Sequence, residues 1–281
     1  MSTPSERFSI RAGFVPGALV VAALAALACG LPPEVDLQEK HATNAADPDL
    51  GDFDHSALDA LLAAHVDADG WVDYPSLAQQ GAALDAYLEA IGAADFEALS
   101  RDAKLAFLIN AYNAATLRLI LDHWPLDSIR DIPADQRWDG RTWNVAGEQL
   151  TLNQIEHERI RPDFEEPRIH FAVNCASVGC PPLRAEAFTA EKLEQQLQEQ
   201  TIYCHTHDRW LQYENGASAV RLTKLYDWYG GDFEQVADSK LAWAAQFNEP
   251  LQAALDAGAA PDIRYLDYSW EINSQANSAG H

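Results

Sequence analysis

The sequence predicts a single α+β domain in which several helices pack on a mainly antiparallel, hairpin-connected sheet. Three observations predict this class. Helical periodicity recurs in the first half of the chain, short strand patterns joined by tight turns follow it, and one stretch alone has the composition of a linker. Helices that precede and interrupt hairpin-connected strands are typical of α+β proteins.

The predicted helices have apolar residues three and four positions apart. They are HSALDALLAAHV, ALDAYLEAI, RDAKLAFLINAYNAATLRLILDHW, TLNQIEHERIR and TAEKLEQQLQEQTIY. The third covers residues 101–124, and we expect Pro125 to end it, because the residue before a proline avoids the helical conformation. Thr151 or Asn153 is a suitable cap for the fourth.

The predicted strands alternate apolar and polar residues. RTWNV and EQLTL flank Ala146 and Gly147, while RWLQYE and AVRLT flank Asn215 and Gly216, and this arrangement predicts two hairpins. RIHFAVN and IRYLDYSWEI show the same alternation and are predicted as further strands.

The N-terminus has the features of an export signal. Arg7 and Arg11 precede the apolar run GFVPGALVVAALAALA, which is too short to span a bilayer comfortably, and ALAC, ending at Cys29, is similar to a bacterial lipobox. ALA is also an ordinary cleavage site, so simple secretion stays open. We expect a signal peptide at 1–28, a lipidated Cys29 with a tether at 29–53, a domain at 54–273 and a tail at 274–281.

This organisation predicts a lipoprotein of the bacterial cell envelope, periplasmic or in the outer membrane if the cell is Gram-negative. It would meet the membrane only through the lipid on Cys29. The formal net charge of −24 repels phosphate backbones and anionic headgroups, which argues against nucleic acid and against membrane binding by charge. The acidity also serves solubility, and the predicted partner is an unidentified small molecule or peptide.

Two amides and one carboxylate fall on apolar helix faces. Asn110 and Asn113 lie one turn apart in AFLINAYNAATLRLIL, so we expect both to be at least half buried. They either tie the helix to a neighbouring segment or orient an imidazole or stabilise an oxyanion. Glu156 shares its stripe with Ile155 and Ile160, and it is expected either to pair with an arginine or to act as an acid, a base or a partner to His170.

The segment RIHFAVNCASVGCPPLR, residues 168–184, concentrates the reactive side chains. If it begins as a strand, His170 points away from the core, and the backbone of Cys175 lies roughly 16 Å from that of His170. That distance is too long for contact. The small residues of ASVG allow a turn, which could bring Cys180 back beside either His170 or Cys175.

Three uses of the two cysteines stay open. They could form a structural disulfide, which export favours, or they could bind a metal with His170, although the spacing matches no zinc knuckle. One of them could instead be a thiol whose pKa is lowered by His170 or Arg184 and that acts as a nucleophile or a redox centre. With Cys29 lipidated, Cys204 leaves an odd number of thiols, so at least one is unpaired within the chain. No metal and no cofactor are predicted.

Six motifs in order resemble the domain-of-unknown-function family 547. They are VDADGWVDY, AFLINAYNAATL, LTLNQIEHERIR, RIHFAVNCASVGCPPLR, LYDWYGGDF and YLDYSWEIN, and the resemblance covers roughly residues 54–273. It implies no established activity. The positions that match are Asn110, Tyr112, Asn113, Glu156, His157, His170, Cys175, Cys180, Pro181, Pro182, Trp228 and Asp232.

Two features depart from the family pattern. Ala176 stands where the family often has glycine, which would tighten the turn between the cysteines. Cys204, within CHTH, fits no motif, so Cys204, His205 and His207 are discounted as site residues. Trp228 and Asp232 add an aromatic and acidic patch that either lines a cleft or forms a packed turn.

The function that these residues predict is a thiol-dependent hydrolase or acyl transferase. Cys180 or Cys175 would attack, His170 would be the base, Glu156 or an asparagine would orient it, and Asn110 or backbone donors would stabilise the oxyanion. Further residues expected to bind the ligand are Asn113, Arg184, Trp228 and Asp232. The alternative is a non-catalytic envelope binding module with a Cys175–Cys180 disulfide.

Overall fold

The computed structural model describes residues 50–280. The predicted signal peptide, Cys29 and nearly all of the predicted tether lie outside these residues. The helices are α1 (Ser56–His65), α2 (Tyr74–Gln79), α3 (Gly81–Gly92), α4 (Arg101–His123), α5 (Leu152–Gln154), α6 (Arg161–Phe164), α7 (Leu193–Thr206), α8 (Leu225–Trp228), α9 (Gly230–Val236), α10 (Lys240–Ala245) and α11 (Glu249–Asp256). A π-helical turn, Ile155–Ile160, joins α5 to α6.

Five strands form two small sheets. The strands are β1 (Thr142–Val145), β2 (Glu148–Thr151), β3 (Leu211–Gln212), β4 (Ala219–Leu222) and β5 (Asp262–Tyr265). β1 pairs antiparallel with β2 across the predicted turn, where Ala146 and Gly147 both have positive φ. β4 lies between antiparallel β3 and parallel β5. The α+β class is confirmed, although helices outweigh strands and the strands divide between two sheets.

Helix α4 is the centre of the larger apolar cluster. It is capped by Ser100, whose hydroxyl accepts a hydrogen bond from the N–H of Ala103, and it ends at His123, just before Trp124 and Pro125. Its middle is apolar on every side, and side chains from α1, α3, β1, β2 and the π-helical turn pack around it. A helix that is hydrophobic all round belongs in the interior.

A second apolar cluster is built from the chain after α7. Its large or fully buried members include Trp210, Val220, Tyr226, Phe233 and Trp243. Helix α7 contributes Cys204 to the same cluster. No helix within residues 50–280 is both long and apolar enough to cross a membrane.

The prediction of a strand at RIHFAVN is wrong. Residues Pro167–Phe171 form a 3₁₀ helix in which Pro167 occupies the first turn and the side chain of Glu166 accepts from the N–H of Arg168. Ile169 packs in the larger cluster and Phe171 in the second cluster. This short helix therefore joins the two clusters and sets His170 between them.

Only part of IRYLDYSWEI is a strand. β5 takes residues 262–265, and the rest runs as an extended segment that forms isolated bridges from Glu271, Ile272 and Ser274 to Ser128, Ser177 and Val72 respectively. The C-terminal segment is thus fastened to loops from distant parts of the chain, including the loop with the two cysteines.

Candidate functional site

Residues 174–180 form a tight loop, here called the cysteine turn. Asn174 accepts the N–H of Ala176 on Oδ1 at 2.8 Å and donates from Nδ2 to the carbonyl of Pro181 at 2.7 Å. The N–H of Cys175 donates to Sγ of Cys180 at 3.1 Å, which brings the two cysteines together. Ala176 has φ of 61°, in the left-handed region that favours glycine.

The cysteine turn is held against the C-terminal segment. The N–H groups of Val178 and Gly179 donate to the carbonyls of Glu271 and Ser269, both at 2.8 Å. A Cβ atom at Gly179 would lie 2.9 Å from the backbone nitrogen of Ser269 and from the ring of Tyr268. Gly179 is therefore required for the close approach that brings Tyr268 to the turn.

Cys175 is the better placed of the two thiols for chemistry. It is partly exposed, and its Sγ lies 2.9 Å from Oγ of Ser177 and 3.2 Å from Oη of Tyr268. Hydrogen bonding from the Cys180 thiol is the main cause that lowers the pKa of Cys175 to about 7, and both hydroxyls lower the pKa further against the opposing effect of burial. A substantial fraction of Cys175 is therefore thiolate at neutral pH.

Cys180 has the opposite character. It is buried, and burial together with the neighbouring Cys175 raises its pKa well above the ordinary value of a thiol. Its thiol lies 3.8 Å from the carbonyl of Val173. The sequence predicts either cysteine as the nucleophile. In the structure, Cys175 is the more exposed thiol and the one with the lower pKa, and Cys180 is its hydrogen-bond partner.

Both cysteines line a cavity of about 360 Å³. Most of its wall is aromatic or aliphatic, and its polar groups are few. The lining residues are Tyr112, Trp138, Asn153, Glu156, His170, Val173, Cys175, Cys180, Leu225, Trp228, Tyr229, Tyr268 and Trp270. A mostly apolar cavity with a few converging polar groups is the usual form of a small-molecule site.

His170 lies in this cavity wall with a fixed tautomer. Its Nε2 is 2.7 Å from Oδ2 of Asp232, and because a carboxylate only accepts, Nε2 carries the proton and Nδ1 is the basic atom. Nδ1 forms no hydrogen bond with any of residues 50–280. Burial lowers the pKa of His170, so the ring is neutral near pH 7 even though Asp232 acts in the opposite direction.

Asp232 is held by a second partner. Arg161 donates to it from Nε at 2.6 Å and from a terminal nitrogen at 2.8 Å. Burial alone would raise the pKa of Asp232, but His170 and Arg161 outweigh burial and hold that pKa well below its usual range. Since the imidazole is neutral, the guanidinium supplies the positive charge that keeps Asp232 ionised.

Glu156 and Tyr229 complete this side of the cavity. Oε1 of Glu156 lies 4.0 Å from Nδ1 of His170, and the ring of Tyr229 stacks on the imidazole with centroids 4.0 Å apart. Burial raises the pKa of Glu156, while His157 and hydrogen bonds from Tyr229 and Tyr112 oppose the rise. We call His170, Asp232, Arg161, Glu156 and Tyr229 the imidazole group.

The π-helical turn explains how Glu156 reaches the cavity. Thr151 caps the preceding helix, with its hydroxyl accepting from the N–H of Gln154 at 3.1 Å, as the sequence predicted for one of two candidates. The wider turn at Ile155–Ile160 then follows, and such turns recur at functional sites. Arg161, which holds Asp232, comes directly after it.

Besides Asp232, which holds His170 from behind the lining, three predicted site residues do not line the cavity. Asn110 uses both amide atoms on the backbone of Phe188, and Asn113 uses both on Ala172 and Asn174. Both asparagines are buried as expected, but their amides connect segments, and Asn110 is not among the residues that line the cavity. Asn113 instead positions the first residue of the cysteine turn.

Arg184 is the third. Its guanidinium pairs with Glu186 and with Glu199, the latter at 2.9 Å, and it also reaches a backbone carbonyl of α7. The expectation that Arg184 lowers the pKa of a cysteine is wrong. The expectation that His170 does so is not supported either, because the hydrogen bonds that lower the pKa of Cys175 come from Cys180, Ser177 and Tyr268.

The structure brings in residues that the sequence reasoning missed. Ser177 and Tyr268 contact the Cys175 thiol, and Trp138 and Trp270 line the cavity. Tyr268 and Trp270 alternate with polar residues in LDYSWEI, and the sequence reasoning took this alternation as evidence for a strand and not for a site. Cys204 is fully buried in the second apolar cluster, away from these groups. Among residues 50–280, no three His, Cys, Asp or Glu side chains are grouped to hold a metal ion.

Comparison with known proteins finds a match to one family model but no activity. Residues 96–203 match the model of a family described as "Protein of unknown function, DUF547". The match supports the domain family that the six motifs indicate, and it includes Glu156, His170 and both cysteines of the turn. Trp228, Asp232 and Tyr268 lie beyond its end. Neither a curated protein nor a solved structure matches the chain.

Proposed function

We propose that the cavity is the active site of a thiol-dependent hydrolase or acyl transferase, with Cys175 as the nucleophile. The observation that carries the proposal is the placement of a low-pKa thiol in the same cavity as a neutral, basic imidazole. Cys175 has its own hydrogen-bond donors and does not depend on His170 for activation. His170 is therefore free to serve the second half of a reaction.

The first half forms a covalent intermediate. The Cys175 thiolate attacks the carbonyl carbon of an ester or thioester and the new carbon–sulfur bond forms. The bond from that carbon to the leaving oxygen or sulfur breaks, and the alkoxide or thiolate that leaves takes up a proton from solvent water. The hydroxyls of Ser177 and Tyr268, which contact Sγ in the free protein, are the donors nearest to the oxygen that gains negative charge.

The second half releases the acyl group. Nδ1 of His170 takes a proton from water or from an acceptor hydroxyl, the resulting oxygen attacks the thioester carbon, and the Cys175 thiolate is regenerated. Asp232 accepts from Nε2 and stabilises the imidazolium that forms, in the same way that a buried carboxylate supports a catalytic histidine. Glu156, 4.0 Å from Nδ1, is a positioning residue in this scheme.

A burst experiment tests the proposal. Full-length protein is mixed with 4-nitrophenyl acetate and 4-nitrophenyl hexanoate, and nitrophenolate release is followed together with intact mass. We expect one acyl group on Cys175 per chain, followed by slower turnover. Cys175→Ser should abolish the burst, and Cys204→Ala, which removes a buried thiol elsewhere, should retain it. His170→Gln should retain the burst and slow the turnover at least tenfold, on the scale of general base catalysis.

The alternative is a binding module in which the same cysteines form a disulfide. The direct contact between Cys175 and Cys180 favours it, although both thiols are free in the structure. Thiol titration of the folded protein as isolated separates the two proposals. Full folding with no reactive thiol at residues 175 and 180 before reduction would contradict the nucleophile.

The cellular location is proposed on sequence alone. The export signal and the lipobox-like ALAC ending at Cys29 support a lipid-anchored envelope protein that acts on a small molecule or peptide. Globomycin treatment of cells expressing the full chain should accumulate the unprocessed precursor, and it should not do so for Cys29→Ala.

A further inference from the structure

Four aromatic rings form one continuous surface beside Cys175, here called the aromatic wall. It consists of Trp138, Trp270, Trp228 and Tyr268, all of which line the cavity. Trp270 is the central ring, with centroids 6.0 Å from Trp138, 6.0 Å from Trp228 and 4.6 Å from Tyr268. Trp228 and Tyr268 also contact each other, at 4.9 Å.

Tyr268 belongs both to this wall and to the environment of the thiol. Its hydroxyl lies 3.2 Å from Sγ of Cys175, while its ring packs against Trp228 and Trp270. Any group bonded to Sγ begins next to this ring. A group larger than acetyl therefore begins beside the apolar surface of the aromatic wall.

Trp228 leaves an apolar surface open to solvent. It is 45% exposed, and the other exposed large hydrophobic side chains among residues 50–280 are Leu50 and Ile202, which do not line the cavity. Leaving an indole in water forgoes the stabilisation that burial would give, so an exposed tryptophan at the edge of a cavity indicates a binding surface.

The lining of the cavity does not favour an ionised acyl group. The four side chains of the aromatic wall are uncharged; the guanidinium groups of Arg130 and Arg137 lie over the rings of Trp270 and Trp138, 5.6 and 5.4 Å from the centroids, but neither arginine lines the cavity. The ionisable groups of the lining are Glu156, His170 and the two cysteines, together with tyrosines. No lysine or arginine is among the lining residues that the structure describes, and the net charge of −24 adds a repulsive field for anions. The volume of about 360 Å³ fits a small-molecule group rather than a folded partner.

We propose that the substrate carries an uncharged apolar acyl group, aryl or medium-chain aliphatic, which packs on the aromatic wall while Cys175 attacks its carbonyl carbon. This inference rests on the proposed function for its chemistry. The preference of the cavity for apolar groups is a separate property, so it is measurable even without acyl transfer.

The first arm of the experiment uses alkylation. Full-length protein is treated with iodoacetamide or with N-benzyliodoacetamide, and the rate of adduct formation on Cys175 is measured by peptide mass spectrometry and normalised to N-acetylcysteine. We expect the benzyl reagent to be favoured about tenfold or more, the scale on which apolar pockets discriminate. Trp228→Ala should remove most of the preference, Trp228→Phe should keep most of it, and the exposed-site control Ile202→Ala should not change it.

The second arm uses thioesters with a common leaving group. N-acetylcysteamine thioesters of acetate, hexanoate and phenylacetate are compared for acylation of Cys175. We expect the two larger acyl groups to react at least tenfold faster than acetyl, and Trp228→Ala to reduce that ratio.

The two arms separate the two proposals. A benzyl preference without any acyl adduct would support the apolar class and contradict the acyl-transfer function. Two results would overturn the apolar class. One is that acyl adducts form equally fast with acetyl and phenylacetyl donors. The other is that the ratio of the two alkylation rates at Cys175 lies within twofold of the ratio for N-acetylcysteine. Circular dichroism of both Trp228 variants checks that the fold is kept.

Discussion

The two sides of the cavity treat charge in opposite ways. On the cysteine turn, the Cys180 thiol and two hydroxyls stabilise a thiolate, so the groups within residues 50–280 that lower the pKa of Cys175 by hydrogen bonding are uncharged. In the imidazole group, the positive charge of Arg161 balances the negative charge of Asp232. His170, which bonds to Asp232 and lines the cavity, stays neutral. The pKa of the thiol and that of the imidazole are thus set by separate contacts, unlike a pair in which the imidazole deprotonates the thiol.

Among single substitutions compared at pH 7, the largest effect on stability should come from breaking the charge balance of the imidazole group. Asp232→Asn leaves the guanidinium of Arg161, whose side chain is 30% exposed, without its counter-charge. We expect a loss of about 2–3 kcal/mol in the free energy of unfolding, measured by urea denaturation at pH 7. Asp227→Asn is the matched control, because its pair with Lys224 is exposed and should contribute less than about 0.5 kcal/mol. Equal effects would contradict the comparison.

Acid should destabilise the protein through its buried imidazoles. Burial lowers the pKa of His170, and it lowers those of His55 and His205 to about 4. Below pH 6.5 the unfolded chain binds protons that the folded chain does not, so stability falls as pH falls from 6.5 towards 4. For each histidine that stays neutral in the folded protein, the free energy of unfolding falls by about 1.4 kcal/mol for every pH unit in that window.

Urea denaturation at several pH values from 8 to 4.5 measures this slope. The carboxylate of Asp232, whose pKa is depressed, keeps its stabilising contribution above pH 3.8 and loses it only as pH falls through the folded pKa. The window is therefore governed by the histidines. His205→Gln should reduce the slope by about 1.4 kcal/mol per pH unit, and a profile that is flat from pH 7 to 5 would contradict the neutral state of the imidazoles.

Cys180→Ala tests the independence of the cysteine turn. Without the Cys180 thiol, the alkylation midpoint of Cys175 should move from about 7 towards the ordinary value of about 8.5. Below the midpoint a thiol is mostly protonated, so alkylation at pH 6.5 should slow about fivefold to twentyfold after allowing for the greater nucleophilicity of the more basic thiolate. Cys204→Ala should leave the midpoint unchanged. A large shift in His170→Gln would show that the two sides are coupled.

The smallest effect is expected at Ala176. Glycine there removes the cost of a left-handed alanine, about 1 kcal/mol, but it adds a similar entropy to the unfolded chain. We expect Ala176→Gly to change stability by less than about 0.5 kcal/mol, measured by thermal unfolding. Ala146→Gly, at another positive φ away from the cavity, should behave alike, and a loss above about 1.5 kcal/mol would mean that the alanine side chain itself supports the turn.

Local patterns predicted much of the fold. The apolar periodicity of α4, the end of that helix before Pro125, the cap at Thr151 and the hairpin at Ala146 and Gly147 all depend on neighbours within a few positions. The prediction of a strand at RIHFAVN was wrong because alternating apolar residues there have two structural explanations. Ile169 and Phe171 are both buried, but they face different apolar clusters across a 3₁₀ helix, and no local pattern separates that case from a strand.

The candidate site was predictable in its residue types and not in its pairings. Burial of Glu156 and both asparagines followed from the helix periodicity. The contact of His170 with Asp232 spans 62 positions, and that of Cys175 with Tyr268 spans 93. Such contacts depend on how the two apolar clusters meet, so the sequence indicated the reactive residues, and Glu156 as a partner to His170, but not the pairing of His170 with Asp232 or of Arg184 with Glu186 and Glu199.

The surroundings of the cysteine turn are complete only after the two ends of the domain have come together. Asn273 donates its N–H to the carbonyl of Ala176 at 3.0 Å and accepts from the Tyr74 hydroxyl at 2.6 Å, across 199 positions. These bonds form only after the last part of the domain has left the ribosome and closed on its beginning. A chain that ends before this segment therefore lacks the Tyr268 hydroxyl beside Cys175 and the contacts that hold the cysteine turn in place.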